Sequence, residues 1–313
     1  MHQNLVLGVV AGLMAALIGA GWQLASRHGV STTLGPLELA VLRYAVPALV
    51  LLPLLRQTGL LPRGLPRLQL MLLVLGGGLP FGLVVLAGAQ WAPAAHIGVF
   101  MAGSVPLFTA LGAWLLDREQ VMGQRLLGLA LVVAGMAVFS AGEFAGLAST
   151  WRGDLLFFLA AMLWALYTLM FRKSGLTPWQ GAAVVNAWSC LLLLPVLIYF
   201  GAPRLWSAPW GDVAFQALGQ GIVAGLLGLV TYMAAIARLG AARASLSAAL
   251  VPLLTVSGAA WVLHEPLSGA ALVAAALVMA GVALAARVKQ PVQLAICLHP
   301  HRTVPTRADG GDS

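Results

Sequence analysis

The sequence has 313 residues, of which 61% are hydrophobic and only 8% are charged, with a formal net charge of +8. A chain this apolar has too little polar surface to cover a soluble globule, so the composition predicts an integral membrane protein. Most basic residues lie in short loops between apolar runs, which is a topology signal and argues against nucleic-acid binding.

Ten apolar runs follow one another along the chain, and each is long enough for a helix that crosses the hydrocarbon core. They predict an all-α membrane protein with ten transmembrane helices, at residues 4–25, 37–55, 68–90, 95–116, 122–141, 155–171, 181–200, 213–236, 242–263 and 268–286. No basic residue precedes the first run, which is also longer than the apolar core of a secretory signal, so it is predicted to be a retained helix. Residues 288–313 are predicted to form a disordered cytoplasmic tail.

The distribution of Arg and Lys predicts the orientation of these helices. With the N-terminus inside, only Arg27, Arg152 and Arg204 fall on the outer side. Thirteen basic residues then fall on the cytoplasmic side: Arg56, Arg63, Arg67, Arg118, Arg125, Arg172, Lys173, Arg238, Arg243, Arg287, Lys289, Arg302 and Arg307. The positive-inside rule therefore predicts that both termini are cytoplasmic. The excess of Arg over Lys suggests a bacterial source, and hence the inner membrane.

One stretch of the chain occurs twice. Residues 105–119, VPLFTALGAWLLDRE, recur 146 positions later as VPLLTVSGAAWVLHE, with seven of the fifteen positions identical. A repeated unit with an odd number of spans must lie in opposite orientations in its two copies. We therefore predict two inverted five-helix repeats, at residues 4–142 and 154–287.

Pro106 and Pro252 occupy the same position in the two copies, and both are predicted to lie in the middle of a span. A proline there removes a backbone hydrogen bond and bends the helix. In a membrane the freed carbonyl must be satisfied by neighbouring protein or by a cavity. The two prolines are therefore expected to bend the fourth and ninth helices beside a central cavity. A kink that only shapes helix packing is the alternative.

Together these features resemble the ten-helix members of the drug/metabolite transporter superfamily, which have two EamA-type domains. The resemblance rests on Leu42-Arg43-Tyr44, on the two proline-bearing helices and on the helix pairs around Glu119 and Glu265, and it covers about residues 5–287. It implies a secondary transporter or exporter of small metabolites, with a central cavity between the two halves. It does not indicate which solute is carried.

The predicted spans hold no obvious carboxylate, because every Asp and Glu falls at a helix end, in a loop or in the tail. The first helix has Trp22 and Gln23, but lacks the glutamate on which the small four-helix multidrug relatives rely. A cavity without an acid cannot compensate a compact cation for its lost water. Neutral, zwitterionic or anionic solutes are therefore expected.

Arg43 is the one charge that the sequence places well inside a span, where an unpartnered arginine is unfavourable. One interpretation is that it binds a substrate carboxylate in the translocation path. The other is a structural pair with Glu38, with Glu265 or with a carbonyl at a helix end.

The remaining candidates are weaker. His96 is expected either to carry a proton near neutral pH or to cap and anchor its helix. For the other candidate substrate-binding residues, core packing or lipid contact is the alternative. They are Gln23, Gln90, Met101, Trp164, Tyr167, Asn186, Tyr232 and Ser247. In the tail, Cys297, His299 and His301 are too weak a pattern to predict a metal site, and no cofactor is predicted.

A membrane-embedded enzyme and a non-transporting scaffold are the competing functions. The sequence has no HExxH motif, no GxSxG motif and no cluster of acids, so no enzymatic activity is predicted. A scaffold would not require an inverted repeat. The expected partners are a small-molecule solute and the lipid bilayer, with the protein as a monomer or homodimer.

Overall fold

The computed structural model describes residues 2–119, 123–143, 146–240 and 249–286, and its regular structure is entirely helical over those ranges. Eleven helices are labelled in chain order. They are α1 His2–Ser31, α2 Pro36–Val50, α3 Leu52–Thr58, α4 Arg67–Trp91, α5 Ala94–Asp117, α6 Gln124–Gly142, α7 Leu147–Ser174, α8 Pro178–Phe200, α9 Trp210–Leu239, α10 Val251–Val262 and α11 Gly269–Ala286. Two of them contain π-helical stretches, Ile97–Ala102 in α5 and Ala217–Gly228 in α9.

Seven of these helices are long and apolar enough to cross a membrane, and α2 with α3 makes an eighth candidate if the bent pair counts as one span. The shorter apolar helices α10 and α11 coincide with the ninth and tenth predicted runs. Large hydrophobic side chains cover the outside, including Trp261 at 87% and Ile198 at 86% exposure. Such a surface is unsuited to water, so the chain is a multi-pass membrane protein.

Several predicted boundaries were wrong, for identifiable reasons. Helix α1 continues to Ser31 and α7 begins at Leu147, because a helix can extend past the apolar core into turns that carry charge. The predicted run 37–55 instead breaks at Leu51, where α2 and α3 meet at 67°. Pro53 in the first turn of α3 explains the break, since its ring displaces the preceding turn of helix.

The main apolar core lies between the two halves of the chain and includes Phe81, Phe100, Phe139 and Phe157. Both halves contribute to it, because α10 and α11 of the second half pack against α5 and α6 of the first. The two halves therefore form one body around a shared interior.

Helices α6 and α11 run antiparallel with their backbones in contact. A Cβ atom on Gly128 would lie 2.5 Å from the Gly281 carbonyl oxygen, and one on Gly135 would lie 2.9 Å from the Ala274 carbonyl oxygen. Small residues permit this close approach. The two contacts are equivalent under the 146-residue offset of the repeat, because Gly128 corresponds to Ala274 and Gly135 corresponds to Gly281. A self-complementary contact of this kind is what a two-fold relation between the halves requires.

The same turn ends α5 and α10. Arg118 and His264 have left-handed backbones, with φ of 53° and 54°. The residues that follow them, Glu119 and Glu265, each donate an N–H to a carbonyl six residues earlier, at 3.3 and 3.1 Å. Non-glycine residues rarely adopt this conformation. Its occurrence at matching positions extends the sequence repeat to the backbone.

The two repeated prolines, however, differ in position. Pro106 lies inside α5, four residues after the π-helical stretch, as expected of a proline in a span. Pro252 lies in the first turn of α10, where its missing N–H removes no helix hydrogen bond. The expectation of matching mid-helix kinks was therefore wrong for Pro252.

Candidate functional site

A cavity of about 120 Å³ lies at the centre of the bundle and is lined by residues of both halves. Its walls are mostly apolar, and Arg43 is the only charged residue among the described residues that line it. The larger side chains that line the cavity include Trp22, Gln23, Arg43, Phe81, Trp164 and Tyr232. A concave apolar site with a few converging polar groups is typical of a small-molecule site.

Arg43 projects from α2 into this cavity and is only 5% exposed. Its guanidinium carbon lies 4.2 Å from the centroid of the Trp22 ring, a cation–π contact. Among the described residues, the buried Nε and Nη1 atoms have no hydrogen-bond partner. The charge is thus stabilised by an aromatic face, while two donors of its fork are buried without a hydrogen-bond partner.

The two carboxylates considered as partners of Arg43 are engaged elsewhere. Glu38 accepts the N–H of Gly35 at 3.0 Å and so caps its own helix, α2. Glu265 pairs with Arg27 at 3.1 Å. The interpretation that Arg43 forms a structural ion pair with Glu38 or Glu265 is therefore wrong.

Hydrogen bonds fix the orientation of the Trp22 ring that supports Arg43. The indole Nε1 donates to Gln220 Oε1 at 2.7 Å, and Gln220 Nε2 donates to Ser26 Oγ at 3.1 Å. Gln220 is fully buried. We did not predict it, although a lone glutamine between two glycines of an apolar run was a usable signal.

An aromatic wall forms another side of the cavity. The Phe81 and Trp164 rings lie 4.9 Å apart between centroids, and those of Trp164 and Tyr232 lie 5.4 Å apart. The Tyr232 hydroxyl lies 3.2 Å from Thr168 Oγ1. This wall offers an apolar surface of tilted rings beside one polar group.

Five of the predicted substrate-binding residues meet at the cavity: Gln23, Arg43, Met101, Trp164 and Tyr232. Gln23 accepts a hydrogen bond from the Thr255 hydroxyl at 2.9 Å, which joins α1 to α10.

The other predicted residues lie elsewhere. Tyr167 is fully buried behind Trp164, and Asn186 donates to the carbonyl oxygens of residues 182 and 225, so both belong to helix packing. Gln90 is exposed near the end of α4 and does not line the cavity. Ser247 lies outside the described residues. Sequence periodicity could not distinguish the helix faces that line the cavity from those that pack elsewhere, because apolar residues occur on all sides of each helix.

His96 and Asp154 form a buried pair away from this cavity. His96 Nδ1 lies 2.7 Å from Asp154 Oδ1, and the two residues are 4% and 7% exposed. The expectation that the spans hold no carboxylate was therefore wrong for Asp154, which lies within the candidate span Ala148–Ser174. Asp154 was assigned to a loop because α7 begins earlier than its apolar run does.

One end of the bundle is closed by an ion pair between α1 and the residue that follows α10. Arg27 Nε lies 3.1 Å from Glu265 Oε1, and Arg27 Nη1 donates to the Ala89 carbonyl oxygen at 2.7 Å. Glu265 Oε2 accepts the N–H of Ala94 at 2.9 Å, at the start of α5. This set of contacts links both halves of the chain.

The opposite end carries the corresponding ion pair. Arg172 of α7 lies 3.6 Å from Glu119, the counterpart of Glu265, and 2.6 Å from Asp117. Lys173 also pairs with Asp117. Helix α5 begins beside Glu265 and ends at Asp117, so the two ion pairs lie at opposite ends of the same helix, with the cavity between them.

No group of three or more His, Cys, Asp or Glu side chains that could hold a metal ion occurs among the residues that the structure describes. The tail residues Cys297, His299 and His301 lie outside those residues.

Comparison with known proteins gives consistent matches. The model of the EamA-like transporter family matches residues 6–141 and again residues 151–287. The chain is 27% identical over 266 residues to the uncharacterized transporter YyaM of Bacillus subtilis (strain 168), covering 81% of this chain and 85% of that protein. It is 27% identical over 186 residues to the uncharacterized transporter YvbV of the same organism, covering 57% and 59%. A crystal structure aligns with a TM-score of 0.61 at 22% identity, over 89% of this chain and 96% of that one, and this likeness concerns the fold.

Proposed function

Because the chain belongs to the EamA-like transporter family, we propose that it is a secondary transporter that exports small metabolites across the bacterial inner membrane. The expected cargo comprises neutral, zwitterionic or anionic solutes such as amino acids. The observation that carries this proposal is Arg43, the only charged residue among the described residues that line the cavity, with two donor atoms that have no hydrogen-bond partner. A solute carboxylate would pair with that guanidinium, and the aromatic wall would contact its apolar part.

Alternating access is supported by the ion pairs at the two ends of the cavity. Glu265 and Glu119 are corresponding residues of the two repeats, and each pairs with an arginine of the other repeat, Arg27 and Arg172. In such a cycle one pair would open while the other stays closed, so that the cavity faces one side at a time. A similar ion pair at each end of the cavity supports alternating access more than it supports a receptor or scaffold.

Ten spans as two inverted repeats are supported by the directions of packed helices. Helix α6 is antiparallel to α11, and α5 begins where α10 ends. Helices α5 and α7 run parallel, since they meet at His96 with Asp154 and again at Gly112 with Leu169. All three relations follow if ten helices cross the membrane in alternation. Both termini would then face the cytoplasm.

A membrane enzyme is the rival function from another class. The described lining of the cavity contains no Ser, Cys, His, Asp or Glu side chain that would act as nucleophile, general acid or general base. The lining therefore favours binding and release over chemistry.

Transport by the purified protein tests the proposal. Protein reconstituted into vesicles would be assayed by counterflow with a panel of labelled amino acids and other small carboxylates, beside protein-free vesicles. We expect at least one carboxylate-bearing solute to accumulate. Comparison of extracellular metabolites from overexpressing and deletion cells gives the direction, since an exported solute rises outside only on overexpression. Absence of counterflow for every solute in well-folded protein would reject the proposal.

A further inference from the structure

The buried pair of His96 and Asp154 does not line the central cavity. His96 lies in the first turn of α5, and Asp154 lies near the start of α7. The 2.7 Å contact joins Nδ1 to Oδ1, so a neutral imidazole that donates from Nδ1 would keep a free lone pair on Nε2. Imidazole is the side chain whose ordinary titration falls between pH 5 and 8.

Aromatic rings and a hydroxyl group contact this pair. The His96 ring contacts the rings of Phe100 and Phe139, with the latter edge-on at 4.8 Å between centroids. The second carboxylate oxygen of Asp154 lies 3.3 Å from the Thr150 hydroxyl.

Charged groups on the surrounding elements include Arg152 of α7, two residues before Asp154, and Glu143 after α6. Arg27 of α1 and Glu265 after α10 also lie nearby, and the glutamate accepts the Ala94 N–H. They are paired with each other at 3.1 Å. Among the described residues, then, one proton added to the His96–Asp154 pair would change a local charge that no other ion pair neutralises.

The pair is connected to the cavity through α5. His96 is followed directly by the π-helical stretch Ile97–Ala102, and Met101 and Ala102 of that stretch line the cavity. Phe100, which lies 5.8 Å from the His96 ring between centroids, belongs to the same stretch. π-helical turns inside α-helices are rare and are frequent at functional sites. A change of charge at His96 therefore acts on the helix segment that shapes the cavity.

We propose that His96 and Asp154 form the proton-binding site that couples the proton gradient to transport. A proton from water on one side binds at His96 Nε2, and the imidazolium is held by the Asp154 carboxylate. The same proton leaves to water on the other side after the conformational change, while cargo moves in the opposite direction. This inference rests on the proposed transport function, but it assigns the coupling ion and its site.

The first experiment measures proton binding without any solute. Protein labelled with ¹⁵N-histidine in nanodiscs would be titrated from pH 5 to 9, with the His96 signal identified by its loss in His96→Gln. We expect His96 to change protonation within this range. Asp154→Asn should alter this titration, because it removes the carboxylate that holds the imidazolium. His28→Gln, at an exposed position of α1, is the matched control and should leave the His96 titration unchanged. A His96 that keeps one protonation state throughout would overturn the proposal.

The second experiment separates coupling from transport. With a labelled solute that shows counterflow, wild-type vesicles should accumulate it several-fold more under an imposed pH gradient. His96→Gln and Asp154→Asn should retain counterflow but lose that stimulation. Stimulation that persists in both variants, or wild-type counterflow that ignores the gradient, would overturn proton coupling while leaving transport intact. Absence of counterflow in the wild type would instead count against the transport function itself.

Discussion

Arg27 and Glu265 lie 238 residues apart in sequence, yet their side chains meet at 3.1 Å across one end of the central cavity. Arg172 and Glu119 repeat this relationship at the other end, although Asp117 shares the arginine there. Each end therefore has an arginine–glutamate ion pair, but only one end has an additional carboxylate, Asp117. Removing one ion pair should favour opening of the cavity at that end, and removing the other should favour opening at the opposite end.

The first prediction concerns these two arginines. Arg27→Gln should favour a cavity open at the Glu265 end, and Arg172→Gln should favour one open at the Glu119 end. A partly exposed ion pair contributes about 1 kcal/mol, which corresponds to a roughly fivefold population shift. The measurement is thiol labelling of a single cysteine at Ala16, in a background without the native cysteines, with reagent added from each side. Both variants opening to the same side would contradict the paired arrangement.

The second prediction concerns Arg43. Arg43→Lys should keep some transport with a several-fold higher KM, because lysine retains the charge but loses the planar fork. Arg43→Gln should abolish transport of zwitterionic and anionic solutes. It should leave protein abundance unchanged, since no carboxylate partner is orphaned among the described residues. Uptake and protein level measured side by side decide between these outcomes. Normal uptake by Arg43→Gln would remove this residue from the site.

The third prediction concerns Gln220, which holds the Trp22 indole. Gln220→Met should leave a buried indole N–H without a partner and lower stability by about 1–3 kcal/mol. It should also weaken solute binding, because Trp22 supports Arg43. The matched control is Gln90→Met, which replaces an exposed glutamine and should change stability by less than about 0.5 kcal/mol. Equal thermal melting shifts for the two variants would contradict the role given to Gln220.

The fourth prediction concerns the contact between α6 and α11. Gly281→Ala places a Cβ atom 2.5 Å from the Gly128 carbonyl oxygen, so the backbones must separate. We expect a destabilisation of about 1–3 kcal/mol, as for other overpacked sites. Gly269→Ala in the same helix meets nothing within 4 Å and is the control. Thermal stability in detergent is the measurement, and equal stability of the two variants would show that the glycine contact is not tight.

The fifth prediction concerns orientation. Reporter fusions after residues 60 and 175 should report the cytoplasm, and fusions after residues 33 and 203 should report the outside. The reason is the positive-inside rule, because most basic residues fall in the loops that these fusions assign to the cytoplasm. An external signal at residue 175 would break the arrangement of five helices in each half.

How much of this protein could be predicted from sequence depended on the kind of signal. Most predicted apolar runs coincide with one helix of the described residues, because a run of about 20 apolar residues is long enough to cross a membrane as a helix. The run 37–55 falls on two helices, and part of the run 242–263 lies outside the described residues. Helix ends were missed at Ser31 and Leu147, where the helix outlasts its hydrophobic stretch. Pro252 was misplaced within its helix because similarity to Pro106 does not determine where a helix begins.

The candidate site was only partly predictable. Arg43 was found because a charge inside an apolar run is unusual. Its support by Trp22 and Gln220 depends on contacts between residues almost 200 positions apart, which one sequence does not reveal. Asp154 was missed for a related reason, since its burial depends on how α7 packs beside α5 and not on its neighbours in the chain.

The contact of Arg43 with Trp22 also has a consequence for biogenesis. Helix α1, which carries Trp22, is synthesised and inserted before α2 delivers the arginine. A charged residue near the middle of a lone helix is unfavourable by about 2.5–3.5 kcal/mol during insertion. An aromatic face on the preceding helix can lower that barrier before Gln220 has been translated. We therefore expect Trp22→Ala to reduce the fraction of nascent chains in which the second helix is inserted, a defect that precedes any effect on the finished transporter.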